Sequence, residues 1–376
     1  MLKKFLYHPR KVWLRRALFQ IHLWMGVLLA AYVFVIGLSG SILVFQQEIR
    51  ASLLPHPAYN AATVAQVSTV LRQAHRAFPA DQITFLTLPQ PKAPWWVIYL
   101  ADAHQKRDLA YANATTGAIL HERHHLWIDW VLDFHIYLLM GETGFIVNCL
   151  AGIGLLMLAL SGLVLWWPGL RAWTRGLHVS FRHRWQRVNF DAHSAVGFWT
   201  LAIVSWWGLT VIYFLFPVPV RTAVNSVSAL TNLEPAAITI PYRRSSSIAQ
   251  SLPLDTLLAR VKIYSRGRVA EVGLPQKPGG ELTVFTDRGA PDDFMRRDIV
   301  TINSQNGDLL SLWHYGVNHS VGDWILWLVY PLHFGTLWGI WVKVVWALLG
   351  LSLPILSITG LLMYWNRWLS KRIRRR

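Results

Sequence analysis

Four apolar runs leave this chain very few folds. Leu18–Phe45, Phe145–Trp167, Ala195–Phe216 and Trp338–Trp365 each meet or exceed the roughly 20 residues that carry a helix across a bilayer. A segment in hydrocarbon has to satisfy its own backbone hydrogen bonds, so runs of this kind are read as transmembrane helices. The composition agrees, with 53% hydrophobic and 15% charged residues among 376. Cys149, the single cysteine, lies inside the second run. No intrachain disulfide, thiol-ligated metal or iron–sulfur centre is therefore expected.

The net charge of +17 would fit a nucleic-acid partner were it spread over a surface, but it is confined to three places. Lys3, Lys4, Arg10, Lys11, Arg15 and Arg16 precede the first run. Arg171, Arg175, Arg182, Arg184 and Arg187 lie between the second and third. Arg367, Lys371, Arg372, Arg374, Arg375 and Arg376 follow the fourth, and Asp191 is the one acid among all of these. Lys and Arg collect on the cytoplasmic side of membrane proteins. Both termini and the middle loop are thus expected in the cytoplasm, with no nucleic acid as partner. The N-terminus is basic and then apolar like a signal peptide, but the apolar stretch is too long, so an uncleaved anchor is expected.

The chain repeats itself. His22-x3-Gly26 matches His193-x3-Gly197, and Leu38-Ser39 falls on Leu209-Thr210 at the same offset. His135, Gly141 and Ser161-Gly162 match His333, Gly339 and Thr359-Gly360. Histidines beside a bilayer are costly and generally functional. His22 follows Arg16, and His193 follows Arg187, by six residues, about 9 Å along a helix. Both would sit just inside the cytoplasmic boundary, in spans running the same way. A planar macrocycle between them would take one imidazole on each face, and a bis-imidazole iron suits electron transfer. His135 and His333 lie too far before Trp167 and Trp365 to be within the core. They would sit at the outer boundary, on a short helix, and form a second such pair. His124 and His314, each seven residues after a hairpin glycine, are secondary candidates for the outer pair.

The segments between spans repeat as well. Ala62–Phe78 reads as an amphipathic helix, followed by strand-like runs Gln82–Leu88, Trp95–Ala101 and Asp108–Asn113 and a turn at Thr116-Gly117. In the second segment Leu254–Tyr264 is helical, Val269–Leu274, Glu281–Thr286 and Asp298–Asn303 are strand-like, and a turn falls at Asn306-Gly307. Leu-Pro-Gln recurs at 88–90 and 274–276. The expected fold is a four-transmembrane-helix bundle from a tandem duplication, with two small periplasmic α+β modules. Each module is too small to be stable alone, so it should dock on the bundle or on its twin. The expected organisation is a cytoplasmic N-terminus at 1–17, a first span at 18–45 and a module at 46–130. A histidine segment and second span follow at 131–167, then a cytoplasmic loop at 168–190. The third span is 191–216, the second module 217–322, the second histidine segment and fourth span 323–366, and a basic cytoplasmic tail 367–376.

The helix-plus-hairpin modules, the segments DFHIYLLMGETG and LVYPLHFGTLWG, and the span ends SGLVLWWPG and TGLLMYWNRW resemble the PepSY-associated transmembrane family. The resemblance extends from about residue 12 to 368. Some members are haem-containing inner-membrane reductases of iron–siderophore complexes. The resemblance thus implies a membrane b-type haem protein in iron uptake, with His22, His193, His135 and His333 as ligands to two non-covalent haems. The resemblance does not by itself fix a substrate; the acceptor expected is a ferric siderophore, and with no flavin or nicotinamide domain evident the electrons would arrive from a cytoplasmic partner or a membrane quinol. The chain has no Cys-x-x-Cys-His, which excludes covalent c-type haem. It also lacks Gly-x-Gly-x-x-Gly, a phosphate loop and the signatures of metalloproteases and serine hydrolases. Two other readings stand beside this one. One is a haem-free or metal-binding protein whose outer modules dock or restrain a periplasmic partner, since imidazole also suits transition metals. The other keeps the haem but reduces a different periplasmic acceptor.

Overall fold

The computed structural model describes residues 7, 13–54, 59–103, 107–121, 126–235, 251–289 and 295–369. The chain divides into two units, one of Met1–Phe45, Val131–Val220 and Val329–Arg376, the other of Gln46–Trp130 and Arg221–Leu328.

The first unit is built on four long helices: α1 (Trp13–Leu43), α5 (Gly141–Trp166), α6 (Trp185–Leu215) and α10 (Ile340–Tyr364). All four are long and apolar enough to cross a membrane. Leu28, Leu150, Leu160 and Leu348 are exposed on their outer faces, where lipid rather than water would cover them. Helix α1 packs on α5 and α10, and α6 packs on the same two, giving a four-helix bundle. Lipid tails are as apolar as leucine, so helices in a bilayer associate through close packing at small residues. The seams follow that rule. A methyl group on Gly37 of α1 would come within 2.6 Å of Leu353 on α10, and one on Gly208 of α6 within 2.7 Å of Leu156 on α5. Midway along the bundle Val33, Leu155, Val204 and Leu353 form an apolar layer, backed by Leu29, Tyr32, Ile203 and Trp207.

Two shorter helices, α4 (Trp127–Tyr137) and α9 (Val321–Phe334), precede α5 and α10 and carry His135 and His333 near their C-terminal ends. Each ends in a left-handed turn. Leu138 and Leu139 have φ of 49° and 60°, and Gly335, Trp338 and Gly339 have φ of 69°, 58° and 83°. The charged and polar first turns of α4 and α9 lie in the second unit. Asp129 is buried against Arg50, 2.8 Å away, and accepts a 2.7 Å bond from the Tyr111 hydroxyl.

The second unit holds one nine-stranded antiparallel sheet, ordered β4-β3-β2-β1-β6-β7-β8-β9-β5. Its strands are β1 (Gln82–Thr87), β2 (Trp95–Ala101), β3 (Arg107–Asn113), β4 (Ile119–His121), β5 (Leu233–Pro235), β6 (Arg268–Gly273), β7 (Glu281–Asp287), β8 (Arg297–Asn303) and β9 (Leu309–Tyr315). Helices α3 (Val67–Ala77) and α8 (Leu254–Tyr264) contribute Val70, Ala74, Leu257 and Val261 to one core with Leu86, Ile98, Val272, Val284 and Val300. On the other face, Leu54 beside α2 (Gln46–Leu53) packs on Trp95, Val97 and Tyr111.

The two outer segments, expected to dock on the bundle or on each other, are joined to each other. Strands β1 and β6 pair through Phe85–Gly273, Leu86–Val272 and Thr87–Glu271, so the two halves share a sheet and a core. The first helix is also shorter than its periodicity predicts. Asn60 caps a 3₁₀ turn at Ala61–Thr63, Val64 is extended, and α3 begins only at Val67. The hairpin asparagines do what their spacing implies. Asn113 Oδ1 accepts from the amides of Thr115 and Thr116, and Asn303 Oδ1 from that of Gln305. Gly117 and Gly307 then turn at φ of 70° and 73°.

Candidate functional site

All four repeated histidines are half-buried in the bundle unit, and each is held by a hydroxyl from a neighbouring helix. His22 Nδ1 on α1 lies 2.9 Å from Ser161 Oγ on α5, and His193 Nδ1 on α6 lies 2.9 Å from Thr359 Oγ1 on α10. His135 Nδ1 lies 2.9 Å from Ser39 Oγ on α1, and His333 Nδ1 lies 2.7 Å from Thr210 Oγ1 on α6. Within each half the exchange is reciprocal. The first long helix gives a histidine to the second and receives one on its own hydroxyl.

The hydroxyls decide the tautomer. Ser161 donates to Met157 O at 2.7 Å, Thr359 to Ile355 O at 2.6 Å and Thr210 to Trp207 O at 2.7 Å, while Ser39 donates to Ile36 O at 3.1 Å. A carbonyl has no proton to share, so a hydroxyl that keeps this bond places its one proton between the two oxygens. What remains toward the imidazole is a lone pair, which accepts a hydrogen bond from Nδ1–H. Each neutral ring then carries its free lone pair on Nε2, the atom a metal would take. Glycines make room for this. A methyl group on Gly40, Gly162 or Gly360 would come within 3.1, 3.3 or 3.4 Å of Cε1 of His135, His22 or His193.

The rings pair across the bundle. His22 and His193, on helices α1 and α6, have centroids 6.4 Å apart and planes at 87°. An imidazole nitrogen binds a first-row metal at about 2.0 Å and lies roughly 1.1 Å from its ring centre. Two imidazoles on opposite sides of one ion therefore have centroids about 6.2 Å apart. Phe214 packs edge-on to His333 at 5.1 Å. The layers are far apart: His22 and Ser39 on α1, like His193 and Thr210 on α6, are separated by 17 residues, about 25 Å of helix. Among the described residues no group of three or more His, Cys, Asp or Glu side chains converges as a metal site. The candidate centres are thus two-imidazole sites.

The outer histidines have a second support. Asn148 Nδ2 on α5 donates to the carbonyls of His135 and Ile136 at 2.7 and 3.1 Å, and the Tyr32 hydroxyl donates to Asn148 Oδ1 at 2.7 Å. At the corresponding place on α10, Trp346 Nε1 donates to Leu332 O at 2.7 Å. These bonds satisfy carbonyls left open where α4 and α9 end. The hydroxyls were visible in the sequence as repeated residues without a role. Asn148 and Trp346 were not, because residues of different type do the same work. Trp206 and Trp207 lie between the layers on α6, and their buried indole N–H groups find no partner among the described residues.

The secondary candidates fare differently. His124 lies outside the described residues. His314 belongs to the second unit, where its Nδ1 is 2.8 Å from Asp298 Oδ1, itself bound by Arg288 and Ser265.

The sequence profile of the family described as PepSY-associated TM region matches residues 19–367. The chain belongs to that family. An uncharacterized protein of Pseudomonas aeruginosa is 27% identical over 165 residues, covering 38% of this chain and 37% of that relative. The match thus spans little more than a third of the relative's length.

Proposed function

We propose that this member of the PepSY-associated TM region family is a di-haem b oxidoreductase of the bacterial inner membrane, reducing ferric iron held by a siderophore on the periplasmic side. One observation carries the reading: four histidines fixed by hydroxyls in the tautomer that frees Nε2, with the inner pair at the spacing of axial ligands. Two rings meeting edge-on would also fall near 6.4 Å. The hydroxyl bonds favour ligation, since a mere ring contact does not require all four imidazoles to present the same nitrogen. When bound, haem supplies a one-electron iron couple insulated from covalent chemistry. The protein's own work is placement. Two imidazoles per layer would hold each haem and suit it to passing electrons rather than binding a small gas. The apolar layer of Val33, Leu155, Val204 and Leu353 keeps water and ions out of the path between them. The repeated order of elements in the two halves supports a tandem duplication with the same orientation in the membrane. The clustered Lys and Arg support cytoplasmic termini, a donor end at His22/His193 and an acceptor end at His135/His333. Each ferric siderophore takes one electron, so a quinol donor would serve two acceptors and release two protons. Reduction loosens the iron because hard oxygen ligands grip Fe(III) far more strongly than Fe(II).

Detergent-purified protein from haem-sufficient cells should show a Soret band that shifts with dithionite, and pyridine haemochrome should give two haems per chain. His22→Ala or His193→Ala should remove one, and His135→Ala or His333→Ala the other. Reduced protein mixed with a ferric siderophore should then reoxidise as ferrozine traps Fe(II). Colourless protein would remove this reading in favour of a periplasmic docking protein. Red protein that stays reduced would keep the haem and exchange the acceptor.

A further inference from the structure

We infer that Ser161, Thr359, Ser39 and Thr210 are positioning residues that set the reduction potential at each imidazole pair, an inference that rests on the haem reading above. Three of these hydroxyls spend their proton on a helix carbonyl at 2.6–2.7 Å and Ser39 does so at 3.1 Å, so each oxygen faces its imidazole as an acceptor. Donation of one hydrogen bond polarises a hydroxyl and strengthens its acceptance of another. An Nδ1–H that finds a good acceptor shifts electron density toward Nε2 and makes the ring a stronger ligand. A stronger donor ligand favours Fe(III) over Fe(II), which lowers the potential. The same bond fixes the ring's rotation, and Gly162 and Gly360 admit the Cε1 edge that this rotation brings against the partner helix.

The arrangement is specific in two ways that a packing role is not. Each hydroxyl serves one ring only, so its effect should be confined to one layer. Ser and Thr also occupy equivalent positions in the two halves, Ser161 against Thr359 and Ser39 against Thr210. The hydroxyl, rather than the rest of the side chain, is therefore the shared feature. Removing it would strand a buried N–H and weaken the ligand, without changing which residues ligate.

The test uses Thr359→Val and Thr210→Val, which keep side-chain volume and delete the hydroxyl, with Thr359→Ser and Thr210→Ser as conservative variants. Redox titration of the full-length protein followed optically and by the ferric low-spin EPR signals resolves the two centres. Thr359→Val should raise the potential of the His22/His193 centre, with the ferrous-to-ferric ratio at fixed potential rising about tenfold, or about 59 mV. The other centre should not move. Thr210→Val should do the converse, and both Ser variants should titrate like the wild type. Should a Val variant lose its haem, retention at the wild-type potential in the matching Ser variant supports the hydroxyl's role. Loss or the same shift in the Ser variant overturns it. Unchanged potentials in both Val variants, or a shift in the wrong layer, overturn the inference while leaving the haem reading intact. A wild type without haem removes both.

Discussion

Asp323 illustrates how single residues hold this protein to its shape. Burial alone would push its carboxyl up, but the Thr231 hydroxyl and amide and the amides of Ser320 and His319 outweigh it and hold the group at about 2. A depressed carboxyl contributes stability that is fully present above its unfolded value near 3.9 and lost as pH falls through about 2. Asp323→Asn should therefore unfold earlier than wild type at pH 7, by about 1.5–3 kcal/mol, the scale of a hydrogen bond to a charged group. Tryptophan-fluorescence melts in detergent should show this gap constant from pH 5 to 8 and closing below pH 3. A gap that survives at pH 2 would mean that packing, not charge, carries the effect. The four paired histidines were legible at this scale because their repetition needs no structure to be seen. The donors of Asp323's bonds were not, since Thr231 and Asp323 are 92 residues apart.

Among the elements, α4 and α9 bear the outer histidines and are the most constrained. Leu138 and Leu139 turn left-handed after α4, a conformation that costs an L-residue roughly 1–2 kcal/mol. Asn148 bridges the last carbonyls of that helix and so helps hold the turn. Asn148→Ala and Trp346→Phe should each loosen the end of a histidine helix. On the haem reading, the expected outcome is partial loss of the outer haem, read by haemochrome, with the inner haem kept in full. Loss of the inner haem instead would detach these bonds from His135 and His333. The spans, strands and hairpins were readable because each follows from local periodicity and turn residues. Strand β9, the three-residue strands β4 and β5 and the end of α4 were not, since pairing partners and caps decide them.

Across the whole molecule, the pairing of β1 with β6 joins the two sequence repeats into one sheet. Leu88 N donates to Ala270 O and Leu274 N to Thr84 O, so Thr87 and Glu271 form a non-hydrogen-bonded pair between them. Such pairs have Cα atoms about 4.5 Å apart, within the range a disulfide spans. Thr87→Cys with Glu271→Cys, in a Cys149→Ser background, should oxidise readily. After proteolysis in the loop around residue 178, the two halves should migrate together until reduced. Separation under oxidising conditions would argue that the halves form independent sheets. The amino-acid sequence alone determined the four spans, the repeat and the identity of the paired histidines, because hydrophobic length, charge clustering and periodicity are properties of contiguous residues. Tertiary structure alone decided that the modules fuse edge to edge, that His22 faces His193 across the bundle, and that a hydroxyl on the neighbouring helix frees Nε2 of each ring. Those are relations between segments up to 188 residues apart, and no local pattern encodes the packing that brings them together.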